Sequence, residues 1–309
     1  MARPLRITYP GAYYHVTSRG NEQKDVFKSQ RDREKFLEYL ASATDRYGAV
    51  IHAYCLLSNH YHLLIETPEG NLSQIMRHIN GAYTTYFNVK RKRAGHLFQG
   101  RYKAILVEAD EYALELSRYI HLNPVRAGMV TRPEEYRWSS YNSYIGQGGA
   151  PPWPQIETIL DYFSSSAKEK YRSFVEDLLG KEYESPFKNT FGAAVLGTAE
   201  FIEMVTKEHL ATKEIDRAVP DIRQFKSKPE PEEIVKAVGA VMEGNEKLAR
   251  QVGMYLCHRC SGRKLREIGN LFGVGETAIA EARRLLSRKM ETDKQLQGEV
   301  DKIKGILKI

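Results

Sequence analysis

Residues 50–66, VIHAYCLLSNHYHLLIE, decide the fold. Two runs rich in β-branched and aromatic residues, 50–57 and 60–66, meet at Ser58-Asn59, and this pattern predicts a β-hairpin. Upstream, AYYHVTSR at 12–19, closed by Gly20-Asn21, reads as a first strand. Between it and the hairpin, residues 30–47 place Phe36, Leu37, Tyr39, Leu40 and Ala43 on one face, which is helical spacing. Downstream, the sequence predicts a helix from Leu72 to near Val89, a strand over 101–107, and a helix opened by Asp110 and stopped at Pro124. The order β-α-β-β-α-β-α predicts an α+β domain over residues 1–146. Its antiparallel sheet carries packed helices in the split βαβ, ferredoxin-like arrangement. The turn-rich GQGGAPPWP at 146–154 ends this unit. Residues 155–215 read as a helical middle region without a chemical motif. A polar, proline-bearing passage at 219–231 then leads to an all-α domain over 230–290.

The chain has 309 residues, 42% hydrophobic and 28% charged, which suits a globular protein of two or more domains. No stretch approaches the ~18 apolar residues of a membrane span, and the N-terminus lacks an apolar signal region; no membrane association and a cytoplasmic location are expected. Three cysteines, Cys55, Cys257 and Cys260, are too few for a disulfide framework, in keeping with a reducing compartment. The net charge of +7 raises the expectation of a polyanionic partner. Between residues 70 and 107 there is no acidic residue, while Arg77, Lys90, Arg91, Lys92, Arg93, Arg101 and Lys103 all fall there. A solvated basic face and a nucleic-acid surface both fit such a run. Tyr83, Tyr86, Phe87, Phe98 and Tyr102 lie among these cations, a mixture suited to phosphate contact and base stacking unless the rings are core.

Chemistry enters with HYHLLI at 60–65. The two-residue period of a strand sends His60 and His62 to one face, where the pair suits either a shared divalent cation or hydrogen-bonded packing. Tyr61 points the other way, into core. In SRYIHLNPVRAG at 117–128, Tyr119 and Asn123 share a helical face at four-residue spacing. A tyrosine that attacks phosphorus needs its phenolate stabilised, by a cation or by the nearby Arg118 and Arg126. His121 falls elsewhere on the helix and reads as structural. Taken alone, Tyr119 is one of 19 tyrosines.

SNHYHLLI together with RYIHLNPVRAG resembles the HUH single-strand transposases with one catalytic tyrosine, in particular the subgroup associated with repetitive extragenic palindromes (REP). AYYHVTSRGN and LFQGRYKAILVE are similar to the same subgroup, so the resemblance covers about residues 5–145. It implies that His60 and His62 bind a divalent metal, Mg²⁺ or Mn²⁺, with Asn123 as a third ligand and Tyr119 as nucleophile. The implied activity is a metal-dependent endonuclease and strand transferase that cleaves and rejoins single-stranded, hairpin-forming DNA through a 5′-phosphotyrosine. Arg19, Lys90, Arg91, Lys92, Arg93, Arg101, Lys103, Arg118 and Arg126 are then its candidate DNA contacts. The palindrome-associated subgroup implies an active site within one chain, hence a monomer.

Near the C-terminus, residues 263–271 and 276–289 flank Phe272-Gly273-Val274-Gly275, a turn of helix-turn-helix length. ARQVGMYL and LREIGNLFG resemble the DNA-binding domain of the bacterial replication initiator DnaA. The second helix lacks the initiator's histidine-threonine pair, so its recognition sequence does not carry over. Arg263, Lys264, Thr277, Arg283 and Arg284 are the candidate contacts, with duplex DNA as expected partner. Cys257 and Cys260 form a lone C-x-x-C that reads as packing rather than zinc. Two other functions fit the same residues: a metal-dependent nuclease using activated water, and a non-catalytic DNA-binding regulator.

Overall fold

The computed structural model describes residues 6–148, 151–163, 165–182, 184–210, 229–242, 244–261 and 263–307. Most of the expected 219–231 passage therefore lies outside the described residues, as do residues 149–150 and 211–215. The chain divides into two units at residue 225.

In the first unit the hairpin forms as β2 (Val50–Leu56) and β3 (His60–Thr67), preceded by β1 (Ala12–Arg19) and α1 (Gln30–Tyr47). It is followed by α2 (Leu72–Lys90), β4 (Lys103–Val107) and α3 (Ala109–Arg126). Local chemistry sets these limits. The Ser29 side chain accepts the Asp32 amide at the start of α1, and Gly48, at φ 62°, closes it in the left-handed conformation. The carbonyls of Ser58 and Asn59 in the hairpin loop accept amides of Val26, Phe27 and Gly20 at 2.8–3.0 Å.

With a fifth strand, β5, at Val195–Leu196, the sheet order is β2-β3-β1-β4-β5, whose first four strands are the ferredoxin-like order with antiparallel neighbours. This short fifth strand, from beyond the stretch that predicts the sheet, extends it. β5 pairs in parallel with β4, because β4 presented an open edge whose Leu106 and Glu108 amides bond to the Ala194 and Leu196 carbonyls at 2.8 and 2.9 Å. The opposite edge is also covered: the Leu56 amide donates to the Trp138 carbonyl, and the Ser140 amide to that of Tyr54.

The helix expected to stop at Pro124 runs on to Arg126. A proline this close to the end forfeits one backbone donor, and Ala127 still donates to Asn123 before Gly128 turns the chain at φ 66°.

Each face of the sheet has its own core. Phe36, Leu40, Ile75, Ile79, Tyr83 and Phe87 of α1 and α2 pack against Tyr61, Leu63 and Ile65. On the other face Leu116 and Ile120 of α3 meet Leu64, Cys55 and Ala53, together with Tyr171 and Val175 from the helix Ala167–Glu176. Residues of the middle region thus complete the core of the first unit. Tyr61 fills the first core as expected, donating its hydroxyl to Asn80 at 2.7 Å.

The second unit is all-α. Helices Pro231–Val241, Glu246–Leu256, Leu265–Phe272, Glu276–Thr292 and Lys294–Ile306 surround Ile234, Val252, Leu256, Ile268, Ile279 and Leu286. The last helix, beyond residue 290, adds Leu296, Val300 and Ile303 to this core. Gly273, at φ 62°, ends the helix Leu265–Phe272. At Gly269 a Cβ would stand 2.6 Å from the Val274 carbonyl, so the close turn between the helices requires glycine there. All three cysteines are free thiols, and buried Cys257 points its sulfur at the Pro231 carbonyl, as packing requires. No helix among the described residues is long and apolar enough to cross a membrane.

Candidate active site

β3 presents His60 and His62 on the face covered by α3, their ring centroids 5.0 Å apart. Asn59 anchors the first of them. Its side-chain amide donates to the Gln23 carbonyl at 3.1 Å, and its Oδ1 lies 2.6 Å from His60 Nδ1. With Nδ1–H given to Asn59, His60 keeps its Nε2 lone pair available. His62 is buried, with Nδ1 2.9 Å from Nε2 of His15 on β1, while its own Nε2 has no hydrogen-bond partner. Burial drives the His60 pKa down to about 4 and that of His62 well below its usual value, Arg19 acting in the same direction on both. Neutral imidazoles with an open nitrogen are the form that binds divalent metals, so this pair suits a cation. Among the described residues no three His, Cys, Asp or Glu side chains converge to hold a metal ion. A coordination sphere built on the pair therefore needs amide or phosphate oxygens.

Tyr119 faces this pair from α3. Its ring lies edge-on to His62 at 5.8 Å and to His15 at 6.3 Å between centroids. Burial pushes its phenol above the ordinary value, and Arg126, whose guanidinium carbon is 5.2 Å from the ring centroid, pulls it back. Asn123 donates its amide nitrogen to the Tyr119 carbonyl at 2.7 Å, which leaves Oδ1 as its remaining acceptor. His121 is structural, as expected: its two nitrogens meet the Tyr171 hydroxyl at 2.7 Å and the Ser140 hydroxyl at 2.8 Å inside the core.

Two contributors to this site escaped the sequence. His15 stacks on His62 with centroids 5.2 Å apart. Phe187, from the 3₁₀ turn Pro186–Asn189, packs on His15 at 4.5 Å and edge-on to Tyr119 at 5.1 Å. The alternation of β1 could have flagged His15 as lying on one face with Tyr13 and Thr17. Nothing local signals Phe187, which is brought in from far along the chain.

The candidate DNA contacts divide. Arg19 is exposed at the end of β1, in register with His60, and Arg126 lies beside Tyr119. Arg101, Lys103, Lys92 and Arg93 are exposed near β4 and the end of α2. Lys90 and Arg91 both pair with the buried carboxylate of Asp32, Lys90 at 2.8 Å, so half of the KRKR run serves the fold. Arg118 is likewise committed, pairing with Glu115 and lying 3.9 Å over Phe174. Of the aromatics among the cations, Tyr83, Phe87, Phe98 and Tyr102 are core and Tyr86 is partly buried against it. In the second unit Thr277, Arg283 and Arg284 are exposed on the helix Glu276–Thr292; Arg263 pairs with Glu230 at 2.6 Å, and Lys264 begins the helix Leu265–Phe272.

The class defined by this fold and site is a ferredoxin-like sheet with a paired-histidine strand facing a tyrosine-bearing helix. Residues 8–123 match the family described as "Transposase IS200 like". A solved structure, "Structure of the REP associates tyrosine transposase bound to a REP hairpin", is similar with 19% identity and a TM-score of 0.42, covering 49% of this chain and 89% of that one. No curated protein matches the chain.

Proposed function

We propose that the first unit is an endonuclease and strand transferase for single-stranded, hairpin-forming DNA, with Tyr119 as its nucleophile. The carrying observation is the placement of the Tyr119 ring 5.8 Å from that of His62, on the face that His62 shares with His60. Tyr119 Oη gives up its proton and forms a bond to the scissile phosphorus. The P–O3′ bond breaks, and its electron pair leaves on the 3′ oxygen, which takes up a proton. The 5′ end is then held as a phosphotyrosine, and a 3′ hydroxyl reverses the step with no net loss of bond energy. Arg126 favours the phenolate through its positive charge. His60, His62 and the Asn123 Oδ1 would hold a divalent cation, Mg²⁺ or Mn²⁺, which when bound supplies charge that polarises a phosphate oxygen. Arg19, exposed and in register with His60, would meet the flanking phosphates.

Both histidines and the tyrosine come from one chain, which supports an active site complete within a monomer. For the second unit we propose duplex DNA binding by the helix Glu276–Thr292, supported by its exposed Thr277, Arg283 and Arg284 and by the glycine turn that precedes it.

Labelled hairpin DNA incubated with protein and Mg²⁺ or Mn²⁺ tests the catalytic proposal. A denaturation-resistant protein–DNA adduct is expected from wild type and not from Tyr119→Phe. Cleavage without any adduct would instead establish attack by activated water, and binding indifferent to metal and to Tyr119 would establish a regulator.

A further inference from the structure

His15 is wholly buried on β1 and has no part in the transesterification set out above. In the β1–β3 register Thr17 stands opposite His62, so His15 reaches His62 diagonally across the strands. The 2.9 Å contact joins His15 Nε2 to His62 Nδ1, and the two outer nitrogens, His15 Nδ1 and His62 Nε2, are both buried without a hydrogen-bond partner. We infer that His15 is the positioning residue that fixes His62 in the tautomer able to hold a cation. The inference rests on the metal-binding reading of His60 and His62.

Two neutral imidazoles joined by one hydrogen bond have two arrangements. If His15 donates, His62 carries its proton on Nε2 and presents an N–H to the site. If His62 donates from Nδ1, its Nε2 lone pair is open. Either arrangement leaves one N–H and one lone pair unpartnered, so without a cation neither is favoured by hydrogen-bond count. A cation on His62 Nε2 satisfies that atom in the second arrangement alone, which requires His15 to act as acceptor. Phe187 packs on the His15 ring at 4.5 Å between centroids, and the outer nitrogen of that ring is buried without a competing partner.

The test is the Mn²⁺ dissociation constant, read from the free-ion electron paramagnetic resonance signal, for wild type, His60→Ala, His15→Phe and His15→Gln. Thermal melts of each accompany it. A packing role favours Phe over Gln at this buried position; the positioning role reverses that order, because the glutamine amide oxygen can accept where His15 Nε2 does. Expected are a loss of about 10–100-fold in affinity for His15→Phe, the range for removal of a ligand's hydrogen-bond partner, and affinity close to wild type for His15→Gln. Wild-type affinity in His15→Phe, or an equal loss in His15→Gln, overturns the inference. Should His15→Phe fail to fold, His15→Asn, polar but one methylene short of His62, replaces it and is expected to lose affinity like His15→Phe; affinity equal to that of His15→Gln overturns the inference. His60→Ala separates the two levels. Unchanged Mn²⁺ binding in His60→Ala refutes the metal pair itself, whereas a loss there without one in His15→Phe refutes the role of His15 alone.

Discussion

Arg126 holds its guanidinium carbon 5.2 Å from the centroid of the Tyr119 ring, seven residues and two turns further along α3. It opposes the burial that raises the phenol's pKa. Arg126→Ala should slow adduct formation about tenfold for each unit by which the phenol rises, and shift the pH–rate profile to higher pH; Arg126→Lys should recover part of the rate. The check is single-turnover cleavage across pH 6–9. An unmoved profile in Arg126→Ala would assign the arginine to DNA contact alone.

Tyr119→Phe should abolish the covalent adduct while leaving hairpin affinity within about threefold, since the phenyl ring keeps the contacts with His62 and Phe187 and one hydroxyl is lost. Adduct gels and fluorescence anisotropy on the same preparation read the two quantities.

Asp32 is buried and would by burial alone be hard to ionise, yet Lys90, Arg91 and the Lys28 amide hold its carboxyl below the ordinary value. Asp32→Asn removes the charge that anchors both cations. The variant should lose about 1.5–3 kcal/mol of stability, the worth of hydrogen bonds to charged groups, and gain salt-sensitive affinity for unstructured single strands. Denaturant melts and anisotropy at two salt concentrations provide the measurement. Unchanged stability would show that the pairs contribute nothing to the fold.

Acid should destabilise the first unit. Burial pushes His15 and His121 down to a pKa of about 3, against about 6.5 in the unfolded chain. Between those values the unfolded chain binds protons that the folded one refuses. Stability is therefore full above about pH 6.5 and falls as pH drops, by up to about 1.4 kcal/mol per pH unit for each histidine. Denaturant midpoints at pH 7.5, 6 and 5 should decline in that order, and a constant midpoint would contradict the burial of neutral rings.

In the second unit, replacing Arg283 and Arg284 together with alanine should weaken duplex binding across sequences and reduce the slope of log affinity against log salt by about 2. Hairpin cleavage by the first unit should persist. Salt titrations on duplex and cleavage assays on hairpin DNA distinguish the two effects.

By itself the sequence determined the element order of the α+β domain, because alternation in 12–19 and 50–66 and helical spacing in 30–47 are local properties of the chain. The same locality put His60 with His62, and Tyr119 with Asn123, on shared faces, since two-residue and four-residue spacings need no partner; their singling out among 19 tyrosines and other histidines rested on the resemblance carried by SNHYHLLI and RYIHLNPVRAG. Tertiary structure decided the rest. His15 joins His62 through pairing between strands 47 residues apart, Phe187 arrives from a turn with no motif of its own, and β5 finds the open edge of β4 from nearly ninety residues downstream. Only the fold, too, divided the basic run into cations bound to buried Asp32 and cations left exposed, because a charge's partner is set by which surfaces meet and not by its neighbours in sequence.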